Sequence, residues 1–298
     1  MKTKIINPIL LPVFIDSCSS ATQSQLNTGA GTECLEGVTT RLALAKTLHR
    51  FTDLDDFKLQ ATWDTAIESK DIVPLYGVYE VASANVEAVK YESGNFSAVT
   101  KNEIKKMTSE SYLSICSHKA LKSYENSGYT QVYEITENGE ILGVYDSDGI
   151  QVKGQDITEF EVAIRERAVN DKVPYSMVTI TFRDFNEFED NGIIIKPSWD
   201  ANVLNGIFEV SLEIVSASAT EIVVSATLGC GSEPAVSLEL AYWDLATTQT
   251  IDSSTYDALT EHYTLGGVAL VSGTLSSGGV KDVGDYKGES AGVAVTVV

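Results

Sequence analysis

The sequence predicts a mainly β protein of the α+β class, and three observations carry that expectation. From Tyr129 to Phe185, apolar and polar residues alternate at the period of a pleated strand: Phe160, Val162 and Ile164 against Glu159, Glu161, Ala163 and Arg165. Helical spacing is confined to two segments, near residues 53–69 and 109–124. After Asp200 it disappears, and short apolar runs recur between Gly and Ser turns. The expected organisation is an extended arm or loop over 1–40, a β-sandwich or barrel domain with two helices over 41–200, and a second β-sandwich over 201–298.

The first segment supports two readings. Lys2, Lys4, an apolar stretch and Cys18 resemble a lipoprotein signal with its lipidated cysteine. Pro8 and Pro12 break that stretch, and Asp16 stands where a small or apolar residue belongs. The alternative is an arm whose Ile5, Leu10 and Phe14 dock on a neighbouring subunit, followed by a Ser-, Thr- and Gly-rich loop.

Arg41–His49 suits a short helix or a strand. Thr52 or Asp53 caps a helix running to about Ser69, with Leu59, Trp63 and Ile67 on one face. Asp53, Asp55 and Asp56 could bind a metal, but acids in a first helical turn are explained by the helix dipole. Strand candidates follow at Ile72–Tyr76, Tyr79–Val81, Val86–Tyr91 and Phe96–Thr100. The second helix is expected from Ser109 to Tyr124, where Tyr112, Cys116, Ala120 and Tyr124 recur at i+4 and His118 lies on the opposite, surface side. Asn138-Gly139 marks a hairpin with both residues at positive φ, and Asp146-Ser147-Asp148-Gly149 a second turn. Two long strands, Ile157–Val169 and Tyr175–Phe185, then meet at Asn170-Asp171-Lys172. Beyond residue 200, strands are expected at Ile207–Val215, Glu221–Leu228, Ser237–Tyr242, Val268–Ser272 and Val293–Val298, with Trp243 in the core. Short strands at such spacing suggest a sandwich of immunoglobulin type.

Composition narrows the function. Among 298 residues, 21 Lys and Arg face 42 Asp and Glu, a net charge of −21, which argues against nucleic-acid binding by counterion release. Cys18, Cys34, Cys116 and Cys230 are widely spaced and the chain has three histidines, so no zinc pattern forms and the thiols are expected to be reduced. No apolar run is long enough for a transmembrane helix. Nucleophile-elbow, phosphate-loop and zinc-protease motifs are missing. Asp146–Gly149 opens like a calcium loop, but Ile157 stands where that loop needs its bidentate acid. Asp184, Glu187, Glu189 and Asp190 are read as a solvated loop rather than glycosidase carboxylates. The expectation is a non-enzyme with no cofactor and no metal.

Four stretches carry a resemblance: A-T-W-D-T-A-I-E-S-K-D-I-V-P (Ala61 to Pro74), D-G-x-x-V-K-G (Asp148 to Gly154), V-T-I-T-F-R-D-F-N-E-F-E-D (Val178 to Asp190) and I-I-I-K-P-S-W-D (Ile193 to Asp200). Together with the long strand pair they resemble virion structural proteins of tailed phages, most of all tail tube subunits from phages of Bacteroides and related bacteria. The resemblance covers most of residues 50–200, and none of its motifs is diagnostic. It implies a tail-tube-like β domain that self-assembles into stacked hexameric rings in the virion, after synthesis in a host cytoplasm. Partners would be copies of the same chain and other virion proteins, without membrane insertion. DNA would be a cargo repelled by an acidic lumen, here lined by Glu159, Glu161, Thr179 and Thr181. The rival readings are another virion component (head decoration, connector or baseplate protein), a surface lipoprotein or adhesin, and a hydrolase with an unfamiliar site.

Overall fold

The computed structural model describes residues 14–15 and 37–297, except 76, 94–95, 113, 185, 205, 230, 232, 248–249 and 284–285. Within these residues the chain is mainly β and divides into two units, Met1–Ala66 with Asp71–Leu204, and Ile67–Lys70 with Asn205–Val298.

The strands of the first unit are β1 (Phe14–Ile15), β2 (Thr39–Lys46), β3 (Ile72–Pro74), β4 (Tyr79–Ser83), β5 (Val89–Ser93), β6 (Phe96–Lys101), β7 (Lys106–Ser111), β8 (Tyr129–Thr136), β9 (Ile141–Tyr145), β10 (Val152–Lys153), β11 (Gln155–Val162), β12 (Ser176–Phe182) and β13 (Gly192–Ile195). Eleven of them form one sheet with the path β1-β13-β9-β8-β11-β12-β7-β4, with β10 beside β9 and β2 joining β8 to β3. The sheet curls on itself. Leu42, Leu44 and Val132 from one half share a core with Met107, Phe160, Val162, Val178 and Ile180 from the other. The opposite side of β8 is covered as well: Tyr133 packs against Phe51, Phe57 and Trp63, with ring centroids 5.0–6.0 Å apart.

Phe51 bridges to Val152 just ahead of the helical region, and Phe57 and Trp63 come from two helices where a single one was expected. Asp53 caps α1 (Leu54–Lys58) by accepting from Asp56 N, and the chain turns extended at Leu59 before α2 (Gln60–Glu68). Leu59 is therefore exposed while Trp63 and Ile67 are buried, so the predicted three-residue face keeps two members. Asp56 accepts from Thr52 and Thr62, so two of the first-turn acids serve the local backbone and its neighbours.

The second expected helix is shorter. Only Ile115–Lys122 is helical (α3), capped by Ser114 rather than Thr108 or Ser109. Its expected first turn is the end of β7, because Met107, Ser109 and Ser111 alternate into the core and the ladder to β12 supplies backbone hydrogen bonds. A short helix that was expected to be loop, α4 (Glu187–Asn191), precedes β13. The β8–β9 turn also departs from expectation: Gly139 N–H closes on Thr136 O at 2.9 Å, and only Gly139, not Asn138, has positive φ. The Asp146–Gly149 turn repeats this pattern, with Gly149 N–H on Asp146 O.

The second unit contains β14 (Ile207–Ala217), β15 (Glu221–Leu228), β16 (Asp244–Leu245), β17 (Ile251–Asp257), β18 (His262–Gly267), β19 (Gly273–Ser276), β20 (Lys281–Val283), β21 (Tyr286–Glu289) and β22 (Val293–Val295). They form two sheets, β17-β18-β15-β14-β21-β20 and β16-β19-β22. Without the β20–β21 hairpin, strands four, five, two and one share one sheet and three, six and seven the other. Val210, Val224 and Leu265 meet Leu245, Leu275 and Val295 in the core. Trp243, just before the third strand, is 7% exposed and packs on Tyr242 and Tyr263. Two expected strands are not strands. Ser237–Tyr242 ends in a 3-10 turn, with Leu238 N–H held by Tyr263 Oη at 3.0 Å, and Val268–Ser272 is a connection into β19.

Candidate assembly surface

The β11–β12–β7–β4 part of the sheet buries one face and leaves the other uncovered. Glu159 pairs with Thr181 and Glu161 with Thr179 across the β11–β12 ladder, and Thr179 and Thr181 pair onward with Thr108 and Lys106 of β7. Directly paired residues project to the same side, so all four predicted lumen residues share one face. They are not equally available. Glu159 and Glu161 are exposed and Thr179 half-buried, whereas Thr181 is buried and donates to Glu159 Oε2 at 3.2 Å. Lys106 adds positive charge and Lys172 is paired with Glu110 at 2.6 Å, so this face is mixed rather than purely acidic. A shallow cavity of about 360 Å³ lies between the end of α3 and the edge of β11, bordered by Glu159 and Glu161.

The first long strand ends at Val162 where Val169 was predicted, and the second runs from Ser176 to Phe182 where Tyr175–Phe185 was predicted. Beyond them the chain continues as a projecting hairpin, residues 163–175, held by isolated bridges Glu166↔Tyr175 and Val169↔Lys172. Its apolar residues face water: Ile164 is 83% exposed, Val169 63% and Val173 57%. Ile164 was expected beside Phe160 and Val162 in the core; the sheet that buries those two does not extend over the tip. A second hairpin, β5–β6, pairs only with itself in the sheet ladders and exposes Val89, Tyr91 and Val99. Isolated two-stranded hairpins are marginal in water.

One strand edge is protected by α3. Glu125, just beyond the helix, accepts from Val162 N at 2.8 Å, on the side of β11 away from β12. His118 is not the surface histidine expected. Its Nδ1 lies 2.8 Å from Oγ of the buried Ser176, and burial, assisted by Lys122 and Arg165, holds its pKa below the usual 6.5. Cys116 on the same helix is disulfide-bonded, with a partner outside the described residues. This corrects the expectation of reduced thiols, because spacing along the chain does not report proximity in space. Glu187, assigned to a solvated acidic loop, instead accepts from the buried Lys153 at 2.6 Å and from Asp156 N at 2.7 Å. Of the predicted arm residues, Phe14 lies on β1, parallel to β13 of its own chain, while Ile5 and Leu10 are outside the described residues.

The sequence reading missed a cluster at the foot of the 163–175 hairpin. Tyr112 donates to Glu110 Oε2 at 3.1 Å, and Lys172 Nζ sits 4.0 Å from the centroid of the Tyr175 ring. Burial and the bond to Glu110 push the Tyr112 phenol up, and the bond to Glu110 raises Lys172. Glu110 and Tyr112 stand two residues apart at the end of β7, Lys172 and Tyr175 belong to the 163–175 hairpin, and no spacing rule brings the two segments together. Among the described residues no helix is long and apolar enough to cross a membrane, and no group of three or more His, Cys, Asp and Glu could hold a metal ion. No family model, curated protein or solved structure matches the chain.

Proposed function

We propose that this chain is a structural virion protein that self-assembles into stacked rings, forming a phage tail tube through which DNA passes. The observation that carries the reading is the combination in one unit of an uncovered polar sheet face with two hairpins that expose apolar side chains. Such hairpins gain a partner surface when identical subunits close into a ring, and closure also covers strand edges. Glu159 and Glu161 then repel phosphate at close range, since charge is screened over about 8–10 Å at physiological salt. With the β20–β21 hairpin set aside, the strand orders of the second unit match ABED and CFG of an immunoglobulin-type sandwich, which supports its role as an immunoglobulin-like decoration. Negative-stain imaging of the full chain across a concentration series tests the reading: rings or tubes support it, and monomers at every concentration overturn it.

A surface lipoprotein or adhesin is the second reading, favoured by the disulfide at Cys116, since disulfides persist on cell and virion surfaces. Mass spectrometry decides it by the presence or absence of lipid on Cys18.

A further inference from the structure

We propose that Tyr79, Tyr112, Glu110 and Lys172 form a binding site for a neutral saccharide. The site lies on the uncovered face, at the end next to the 163–175 hairpin. Tyr79 starts β4 and is 48% exposed, Tyr112 follows β7, and Tyr175 precedes β12. Ring centroids are 5.1 Å apart for Tyr79 and Tyr112, and 6.3 Å for Tyr112 and Tyr175. Glu110, paired with Tyr79 in the ladder, is 7% exposed. Its Oε1 accepts from Lys172 at 2.6 Å and its Oε2 from Tyr112 Oη at 3.1 Å. Tyr175 lies under the ammonium and orients it.

The parts have distinct uses. Tyr79 and Tyr112 offer a tilted aromatic platform for the apolar C–H face of a sugar ring. The Glu110 carboxylate has acceptor sites beyond the two already used, and Lys172 carries three donors, so both can bond hydroxyl groups. Their positions are set before a ligand arrives, which lowers the ordering cost of binding. Charge disfavours an anion, which meets a chain of net charge −21 and an ammonium already paired, and Lys172 already fills the place a cation would take between Glu110 and the Tyr175 ring. Proline-rich peptides use aromatic-lined grooves, and the two cavities lined by Phe182 and by Phe160 include none of these tyrosines.

The inference does not rest on tube assembly: in a closed tube this face lines the lumen, so the site is open to a saccharide in the unassembled chain or in a cell-surface protein. Native affinity electrophoresis of the full chain is run in gels containing soluble starch, a β-1,3-glucan or a galactomannan, with a polyproline peptide titrated in parallel. The expected result is retardation by at least one polysaccharide. Tyr79→Ala and Lys172→Met should each weaken it about three- to tenfold, and Tyr79→Phe should retain it. Tyr79 is half exposed, so its variants keep the fold, and unchanged melting confirms this. Failure of all three polysaccharides to retard the protein, or retardation unaffected by Tyr79→Ala, overturns the site. Binding of the peptide alone overturns it too and assigns the cluster to a protein partner.

Discussion

The two hairpins β8–β9 and β11–β12 lie in one curled sheet and differ in what covers them. Every residue of β9 is buried, and β8 is enclosed on both faces, by Phe51, Phe57 and Trp63 on the Tyr133 side and by the shared core on the Val132 side. β11–β12 buries Phe160, Val162, Val178 and Ile180 on one face and leaves Glu159 and Glu161 in water on the other. The difference teaches that an enclosed hairpin fixes the fold, whereas a half-covered one has a face free to meet a partner.

That contrast can be broken or sharpened by substitution. The largest effect is expected from Tyr133→Ala, which empties a fully buried aromatic site and should cost about 3–5 kcal/mol in urea unfolding. Glu125→Ala strips the acceptor from Val162 N and should cost about 1–3 kcal/mol, with faster amide exchange at Val162.

A gentler loss is expected with acid. Burial holds the imidazoles of His49 and His118 below the usual 6.5; for His49 it outweighs the opposing pull of Asp71. A base with a lowered folded pKa takes up protons first in the unfolded chain. Its stabilising contribution is therefore complete above pH 6.5 and is lost as pH falls from 6.5 through the lowered folded value. Melting temperatures measured between pH 7.5 and 5 should fall on acidification, and His118→Asn should flatten part of that slope. A flat profile in the parent protein would remove both histidines from the account. The smallest effects belong to the open face and tip: Glu161→Gln and Ile164→Ala should each change stability by less than about 0.5 kcal/mol. A large loss at Ile164 would mean that the tip packs as the enclosed hairpin does.

The legibility of the sequence followed the same division. Alternation at Phe160–Val162 and Val178–Phe182 marked strands correctly, because one face of each meets the core. The same alternation misled at Ile164, since a period reports conformation and not whether a covering layer extends that far. Tyr112 to Tyr124 looked helical at i+4, yet Lys106–Ser111 became a strand once β12 offered it a ladder, leaving the helix to begin at Ile115. In the second unit Ile207–Val215 and Glu221–Leu228 were visible by their alternation. The edge strand Ile251–Asp257 was not, because its Ser and Asp side chains face water and leave little hydrophobic pattern.

By itself the sequence determined the β-rich class, the shift in composition near residue 200, a helix cap at Thr52 or Asp53 and the glycine turns at Gly139 and Gly149. All of these rest on interactions between residues close along the chain. The tertiary structure alone decided that Thr181 is buried beside Glu159, that Glu187 serves a buried lysine, and that Tyr79, Glu110, Tyr112 and Lys172 converge. The physical reason is that strand pairing joins residues tens of positions apart, and which strands pair is set by the core they must bury together.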